Sequence, residues 1–178
     1  MTAPFAIEVL AATHARTGVT SGVEALDRYF RTQVTQDVRR RVTACYVVVE
    51  VATGTVAGYY TLAAGGIPLT EVPEPLAKRL LRYPTVPVAR LGRLAVAQAY
   101  RGRKLGGTLL WDALQRAVLS EVMVFALVVD AKDERAEAFY RHHGFVVFGS
   151  LPGQLVLPLT SRRFLACGFL TRTAGRGL

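Results

Sequence analysis

Cysteine is nearly absent from this 178-residue chain: Cys45 and Cys167 are its two copies. They form neither a metal-ligand spacing nor a disulfide framework, and they suit a reducing compartment. The three histidines, His14, His142 and His143, are too few and too scattered to mark a metal site. No apolar run approaches the roughly 18 residues that a membrane-spanning helix needs. Met1 to Leu10 lacks the basic start and long apolar stretch of a signal peptide. A cytoplasmic protein without a metal is expected. Acidic residues are scarce too: 13 against 22 Lys plus Arg, a formal net charge of +9. That excess argues for a polyanionic partner, without deciding between RNA, DNA and a membrane surface.

What is abundant is apolar: 51% of residues are hydrophobic, enough for a real core. The length is that of one domain. Residues 5–10 read as a short strand. Ser21-Gly22-Val23-Glu24 has the form of a capping box. Leu26, Tyr29, Phe30, Val34 and Val38 then recur at helical spacing up to the basic run Arg39-Arg40-Arg41. Cys45 to Val51 and Val56 to Leu62, joined through Thr53-Gly54, predict an antiparallel hairpin. Prolines punctuate residues 65–90, which predicts an irregular excursion with a short helix near 75–81. A strand follows over Arg90 to Val96, and a helix from Leu105 whose face is Leu105, Leu109, Ala113, Leu114, Ala117 and Val118. Val122 to Val129 reads as a buried strand and Asp133 to His142 as a helix closed by Gly144. Two strands end the pattern, over Phe145 to Phe148 and Gln154 to Leu159. The expected fold is a mixed α/β sheet flanked by helices, one domain over residues 1–170 with a flexible tail at 171–178.

The strongest local signal is a strand running through Arg101-Gly102-Arg103-Lys104-Leu105-Gly106-Gly107 into a helix. The first N–H groups of a helix have no internal acceptor, and its dipole is positive there, so such a junction traps anions. On spacing alone a solvated basic turn is an equal reading. The second signal is Asp133 to Tyr140 followed by Gly144-Phe145. A phenol there reads either as a proton donor or as a core tyrosine.

The first segment resembles motif A of the GNAT acetyltransferases. That motif runs Gln or Arg, two variable residues, Gly, one variable residue, then Gly or Ala. Arg101 and Gly106 take the outer positions, and Lys104 stands where the middle glycine belongs. The second segment resembles motif B. Further matches are Leu26-Asp27, Gly58-Tyr59-Tyr60, Arg82-Tyr83-Pro84, Val86-Pro87-Val88, Arg90 to Val96 and Asp130-Ala131-Lys132. Together they are similar to the GNAT-type toxins of toxin–antitoxin systems, the TacT-like group. The resemblance runs from about Gly18 to Phe164. It implies the GNAT fold and acetyl-CoA as co-substrate. It puts the pyrophosphate on Arg101, Gly102, Arg103, Lys104, Leu105, Gly106 and Gly107. The pantetheine arm would lie along Leu94, Ala95 and Val96, with Asp133 and Phe139 completing the site. Tyr140 would be the catalytic acid that protonates the departing sulfur. The resemblance further implies acetylation of the α-amino group of aminoacyl-tRNA, a block of translation, and neutralisation by a ribbon-helix-helix antitoxin. A homodimer is common in the group, and no membrane partner is implied.

The charge agrees with an RNA substrate, since phosphate contacts dominate such affinity. Arg39, Arg40, Arg41, Lys78, Arg79, Arg82, Arg90 and Arg93 are the candidate RNA contacts; each cluster alone reads more readily as a solvated face, and it is their joint excess over acidic residues that favours RNA. No residue stands out as a general base, Glu50 being the single carboxylate to check. None is required, because an α-amino group titrates near ~8 against ~10.4 for a lysine. Two other readings remain: an enzyme of this fold acting on a small-molecule amine or a protein N-terminus, and a non-catalytic module that keeps the fold.

Overall fold

The structure, a computed structural model, describes residues 4–80 and 82–159. Cys167, the expected tail and the domain limit at 170 lie outside the described residues. Alternation of apolar side chains builds a seven-stranded sheet in the order β1-β2-β3-β4-β5-β7-β6. The strands are β1 (Phe5–Val9), β2 (Ala44–Glu50), β3 (Thr55–Pro68), β4 (Thr85–Val96), β5 (Ala126–Asp130), β6 (Val146–Val147) and β7 (Gln154–Pro158). All neighbours pair antiparallel except β4 and β5, which are parallel. The helices are α1 (Glu24–Thr32), α2 (Val34–Arg39), α3 (Glu74–Ala77), α4 (Leu105–Val118) and α5 (Glu134–His142).

Successive side chains of a strand point to opposite faces. Val48, Leu127 and Val129 pack with Leu109, Leu110 and Ala113 of α4 and with Tyr140 of α5 on one face. Val47, Val49 and Tyr59 pack with Phe30 and Val34 of α1 and α2 on the other. Val86, Val88, Ala126 and Val128 meet Ile67, Val72 and Phe148 further along that face. This two-sided burial explains the unbroken apolar run of β5. Phe30 is fully buried and stacks on Tyr59 at 4.2 Å between ring centroids. The Tyr59 hydroxyl donates to the Leu26 carbonyl at 2.8 Å, locking α1 to the sheet.

Several local expectations are corrected. The capping box does not form: the Ser21 hydroxyl and backbone N–H both donate to Asp27 Oδ1, at 2.5 and 2.9 Å. Val23 caps α1 without a side-chain bond. The buried Asp27 outcompetes Glu24 for Ser21, because Glu24 is exposed and reaches Arg31 instead. The helical pattern up to residue 41 divides at Gln33 into α1 and α2. The excursion at 65–90 shrinks to residues 69–84, because β3 and β4 remain paired out to Pro68 and Thr85. Pro87 does not interrupt this ladder because its backbone N and O face away from β3, the carbonyl accepting from Phe125 N–H at 2.8 Å on the β5 side. The short helix is Glu74–Ala77, not 75–81. β5 starts at Ala126, leaving Val122 and Met123 exposed, and Val118 is exposed on α4. The last strand, β7, is internal; β6 is the edge.

Phe30→Ala should lower the unfolding free energy by about 3–5 kcal/mol, the usual cost of emptying a buried aromatic site. A urea titration measures it, and a loss below about 1 kcal/mol would contradict the packing described for α1.

Candidate active site

The parallel ladder between β4 and β5 ends at the pair Leu91↔Val129. Beyond it, Gly92 is an extra residue in β4, since Thr61 pairs with Arg93 and Leu62 with Leu91. A bulge bends its strand and raises the local twist. Leu94, Ala95 and Val96 therefore keep β3 on one side and have no strand on the other. A cleft of about 280 Å³ occupies the opening, lined by Leu94, Ala95, Val96, Asp133, Phe139 and Tyr140. Its opposite wall is Ser21, Val23 and Leu26 at the start of α1.

A second, more open cleft adjoins it and shares Val96, Arg101, Arg135 and Phe139. It is lined as well by Gly102, Lys104, Leu105, Gly106 and Gly107. α4 begins here with Lys104 as N-cap and without a side-chain cap bond. Its first N–H groups are thus open to an anion. Gly102 has φ +79° and Lys104 φ +61°, so the loop turns through the left-handed region twice. The lysine takes, under strain, the conformation that the motif's glycine would take freely.

Tyr140 is 8% exposed at the base of the first cleft. Burial pushes its phenol up to about 12. Among the described residues its hydroxyl has no hydrogen-bond partner. It is a protonated donor facing open space. Asp133 is the N-cap of α5, accepting from the Ala136 N–H at 2.8 Å. It is also paired with Lys132, whose ammonium is the first cause holding its carboxyl below the usual range. Asp133 therefore orients α5.

The structure brings together Leu94, Ala95, Val96, Arg101, Gly102, Lys104, Leu105, Gly106, Gly107, Asp133, Phe139 and Tyr140. Arg103 lines neither cleft. It lies 3.7 Å from Glu50 and 5.3 Å over the Tyr100 ring. Glu50 is held low by hydrogen bonds from Thr53 and Tyr100 and by the Arg103 charge. It lies outside both clefts, which removes it as a base for this site. Arg101 donates to the Ser21 carbonyl at 2.5 Å, tying the loop to the α1 wall. Gly22 (φ +85°) permits this contact, since a Cβ there would meet Gln98 Nε2 at 2.4 Å and Arg101 Nη2 at 3.1 Å.

Of the candidate RNA contacts, Arg39, Arg40, Arg41, Lys78, Arg79 and Arg82 are exposed. Lys78 pairs with Glu74 at 3.0 Å. Arg90 is bound to Asp130 at 2.6 Å, and Arg93 stacks 3.5 Å over the Tyr29 ring. Sequence reading missed Ser21, Val23, Leu26, Lys132, Arg135 and Ala136. The α1 residues reach the cleft through tertiary packing. Arg135 and Ala136 carried a signal, since their spacing puts them on the Phe139–Tyr140 face of α5.

A strand opened beside an uncapped helix start, with a phenol at its base, is an acetyltransferase architecture. The chain belongs to the GNAT acetyltransferase family, whose model, "Acetyltransferase (GNAT) family", matches residues 15–145. Within that family it is similar to a tRNA-acetylating toxin of Mycobacterium tuberculosis (strain ATCC 25618 / H37Rv). The two are 32% identical over 151 residues, 84% of this chain and 89% of that protein. A probable toxin TacT of Sinorhizobium fredii (strain NBRC 101917 / NGR234) is 26% identical over 161 residues, 85% of this chain and 89% of its own. Among solved structures, AtaT complexed with acetyl-methionyl-tRNAfMet superposes with a TM-score of 0.84 at 26% identity, covering 90% of this chain and 98% of that one. AtaTR bound with AcCoA gives 0.79 at 27%, covering 91% and 98%. The AtaT-AtaR complex bound to DNA gives 0.72 at 27%, covering 90% and 98%.

Lys104→Gly should raise stability by about 0.5–1 kcal/mol, the left-handed strain less the greater unfolded freedom of glycine. That is roughly 1–4 °C in a thermal melt. A lower melting temperature would contradict strain at this position.

Proposed function

We propose that this chain is an acetyl-CoA-dependent N-acetyltransferase that acetylates the free α-amino group of aminoacyl-tRNA and so blocks translation. The observation that carries this is the unpartnered, buried phenol of Tyr140 at the base of a cleft that opens onto an uncapped helix start. The 32% identical relative that is a tRNA-acetylating toxin supports the choice of acceptor.

The residues present fit acetyl-CoA. The first turn of α4, with Gly106 and Gly107 exposing its backbone, would hold the diphosphate. The unpaired edge at Leu94 to Val96 would bind the amide groups of the pantetheine arm. The bound co-substrate supplies an acyl thioester. Tyr140 keeps its proton across the physiological range and releases it only as negative charge builds on the sulfur. Burial raises the phenol, and the same desolvation raises the proton affinity of a thiolate beside it, so the shift of the phenol is offset at the acceptor. No base is needed, because an α-amino group is substantially neutral near pH 8. Among the described residues Asp133 is the sole acidic residue lining the first cleft and is already paired with Lys132, which disfavours a polyamine acceptor.

The exposed cations Arg39, Arg40, Arg41, Lys78, Arg79 and Arg82 are proposed to meet tRNA phosphates, whereas Arg90 and Arg93 are engaged by Asp130 and the Tyr29 ring. An antitoxin is the proposed protein partner, a reading supported by the AtaT-AtaR complex bound to DNA; its ribbon-helix-helix character rests on resemblance to the TacT-like group. The homodimer rests on resemblance to the TacT-like group. The site of action is the cytoplasm, where charged tRNA is found, and among the described residues no helix is long and apolar enough to cross a membrane.

Added with acetyl-CoA to a cell-free translation mixture, the protein should stop peptide synthesis. Tyr140→Phe should bind CoA normally yet acetylate at least about 100-fold more slowly, the scale of a lost general acid. Full arrest by that variant would exclude Tyr140 as the acid. The pH dependence has a definite sign. A phenol raised to about 12 remains protonated far above neutrality. The rate should therefore rise with amine deprotonation and show no descending limb between pH 7 and 9, when read as initial rates on charged tRNA. A fall within that window would contradict the assignment.

A further inference from the structure

Of the cations expected beside the phosphates, Lys104 lines the second cleft, whereas Arg103 is turned away toward Glu50 and Tyr100. Arg101 reaches back to the Ser21 carbonyl. Arg135 is placed differently. It lines both clefts, on the α5 side of the opening that faces the first turn of α4. Four residues on, Phe139 sets the distance between the helices, its ring lying 3.7 Å from where a Cβ would stand on Gly106. Residues four apart share a helix face, so Arg135 is directed into the same groove as Phe139. It is exposed and makes no ion pair or hydrogen bond among the described residues. Its neighbour Asp133 is bound by Lys132 and the Ala136 N–H, and Glu137 by Arg141.

The nearby Asp133 carboxylate attracts Arg135 only at a distance, being bound already by Lys132 and the Ala136 N–H. Arg135 is the second residue of α5, where the helix dipole is positive and repels a cation. An arginine held there without an acceptor gains its partner when an anion enters the groove. We infer that Arg135 binds the diphosphate of the coenzyme across the groove from the first turn of α4, closing a two-sided phosphate clamp in place of Arg103. The inference rests on the acetyl-CoA reading above. A planar guanidinium suits this task because it can bond two phosphate oxygens at once.

Calorimetric titration of the full chain and of Arg135→Gln with CoA, dephospho-CoA and pantetheine tests it, alongside thermal melts without ligand. The variant should bind CoA and dephospho-CoA about tenfold more weakly, by the same factor, the scale of a charge-assisted hydrogen bond. Pantetheine binding should not change, and the unliganded variant should melt at the same or a higher temperature. Arg135→Lys should recover part of the affinity. Unchanged CoA affinity in Arg135→Gln overturns the inference. So does a loss seen with CoA but not dephospho-CoA, which would move the contact to the 3′-phosphate. An equal loss for pantetheine with a lower melting temperature would make the residue structural. If the wild type binds none of the three, the acetyl-CoA reading fails as well; if it binds CoA and the variant matches it, only Arg135 is reassigned.

Discussion

The parting of β4 from β5 beyond Leu91 and Val129 is the constraint on which the site depends. A central strand normally has both edges filled by neighbours, because unpaired backbone groups away from water are costly. Here Gly92 adds a residue to β4 and bends it, while β5 ends at Asp130, whose pairing passes to β7. The opened strand needs another hydrogen-bonding partner, and water or an extended amide-bearing ligand can serve. α4 and α5 flank the opening with their N-terminal turns. Anion affinity and the phenol are thereby brought to one groove by backbone geometry.

Much of the chain's positive charge is already engaged inside the fold. Arg93 lies over Tyr29, whose hydroxyl donates to Asp37 at 2.9 Å. Arg116 lies 3.9 Å over Tyr46 and bonds Asp112, which also accepts from Tyr60 at 2.6 Å. Arg90 joins β4 to β5 through Asp130 just where the ladder ends. These contacts brace the sheet around the opening. Among the described residues, Arg39, Arg40, Arg41, Arg79, Arg82 and Arg135 are exposed cations outside these contacts.

Periodicity alone located α4, α5, β1 and the β2–β3 hairpin, because each carries a strong local pattern closed by turn chemistry. It failed where tertiary pairing overrides local signals. Residues 65–90 carry prolines that argue against a sheet, yet β3 and β4 remain paired because Pro87 turns its backbone N and O away from β3. Ser21 looked like a helix cap, but a buried carboxylate six residues on claims its hydroxyl. The loop and Tyr140 were legible through spacing and resemblance, since motifs are contiguous. The wall made by Ser21, Val23 and Leu26 was not, since it reaches the cleft from the opposite end of the chain. Nor could spacing show that adjacent cations diverge, Arg103 toward Glu50 and Arg101 toward Ser21.

Acetyl transfer to an aminoacylated RNA is the proposed work of the open strand, the uncapped helix and the buried phenol together. The most direct measurement is transfer of label from radiolabelled acetyl-CoA to total charged tRNA, with deacylated tRNA as the comparison. Label is expected on charged tRNA, released with the amino acid on mild alkaline hydrolysis, and none on deacylated tRNA. Label on deacylated tRNA, or none on charged tRNA while acetyl-CoA binds normally, would contradict that role.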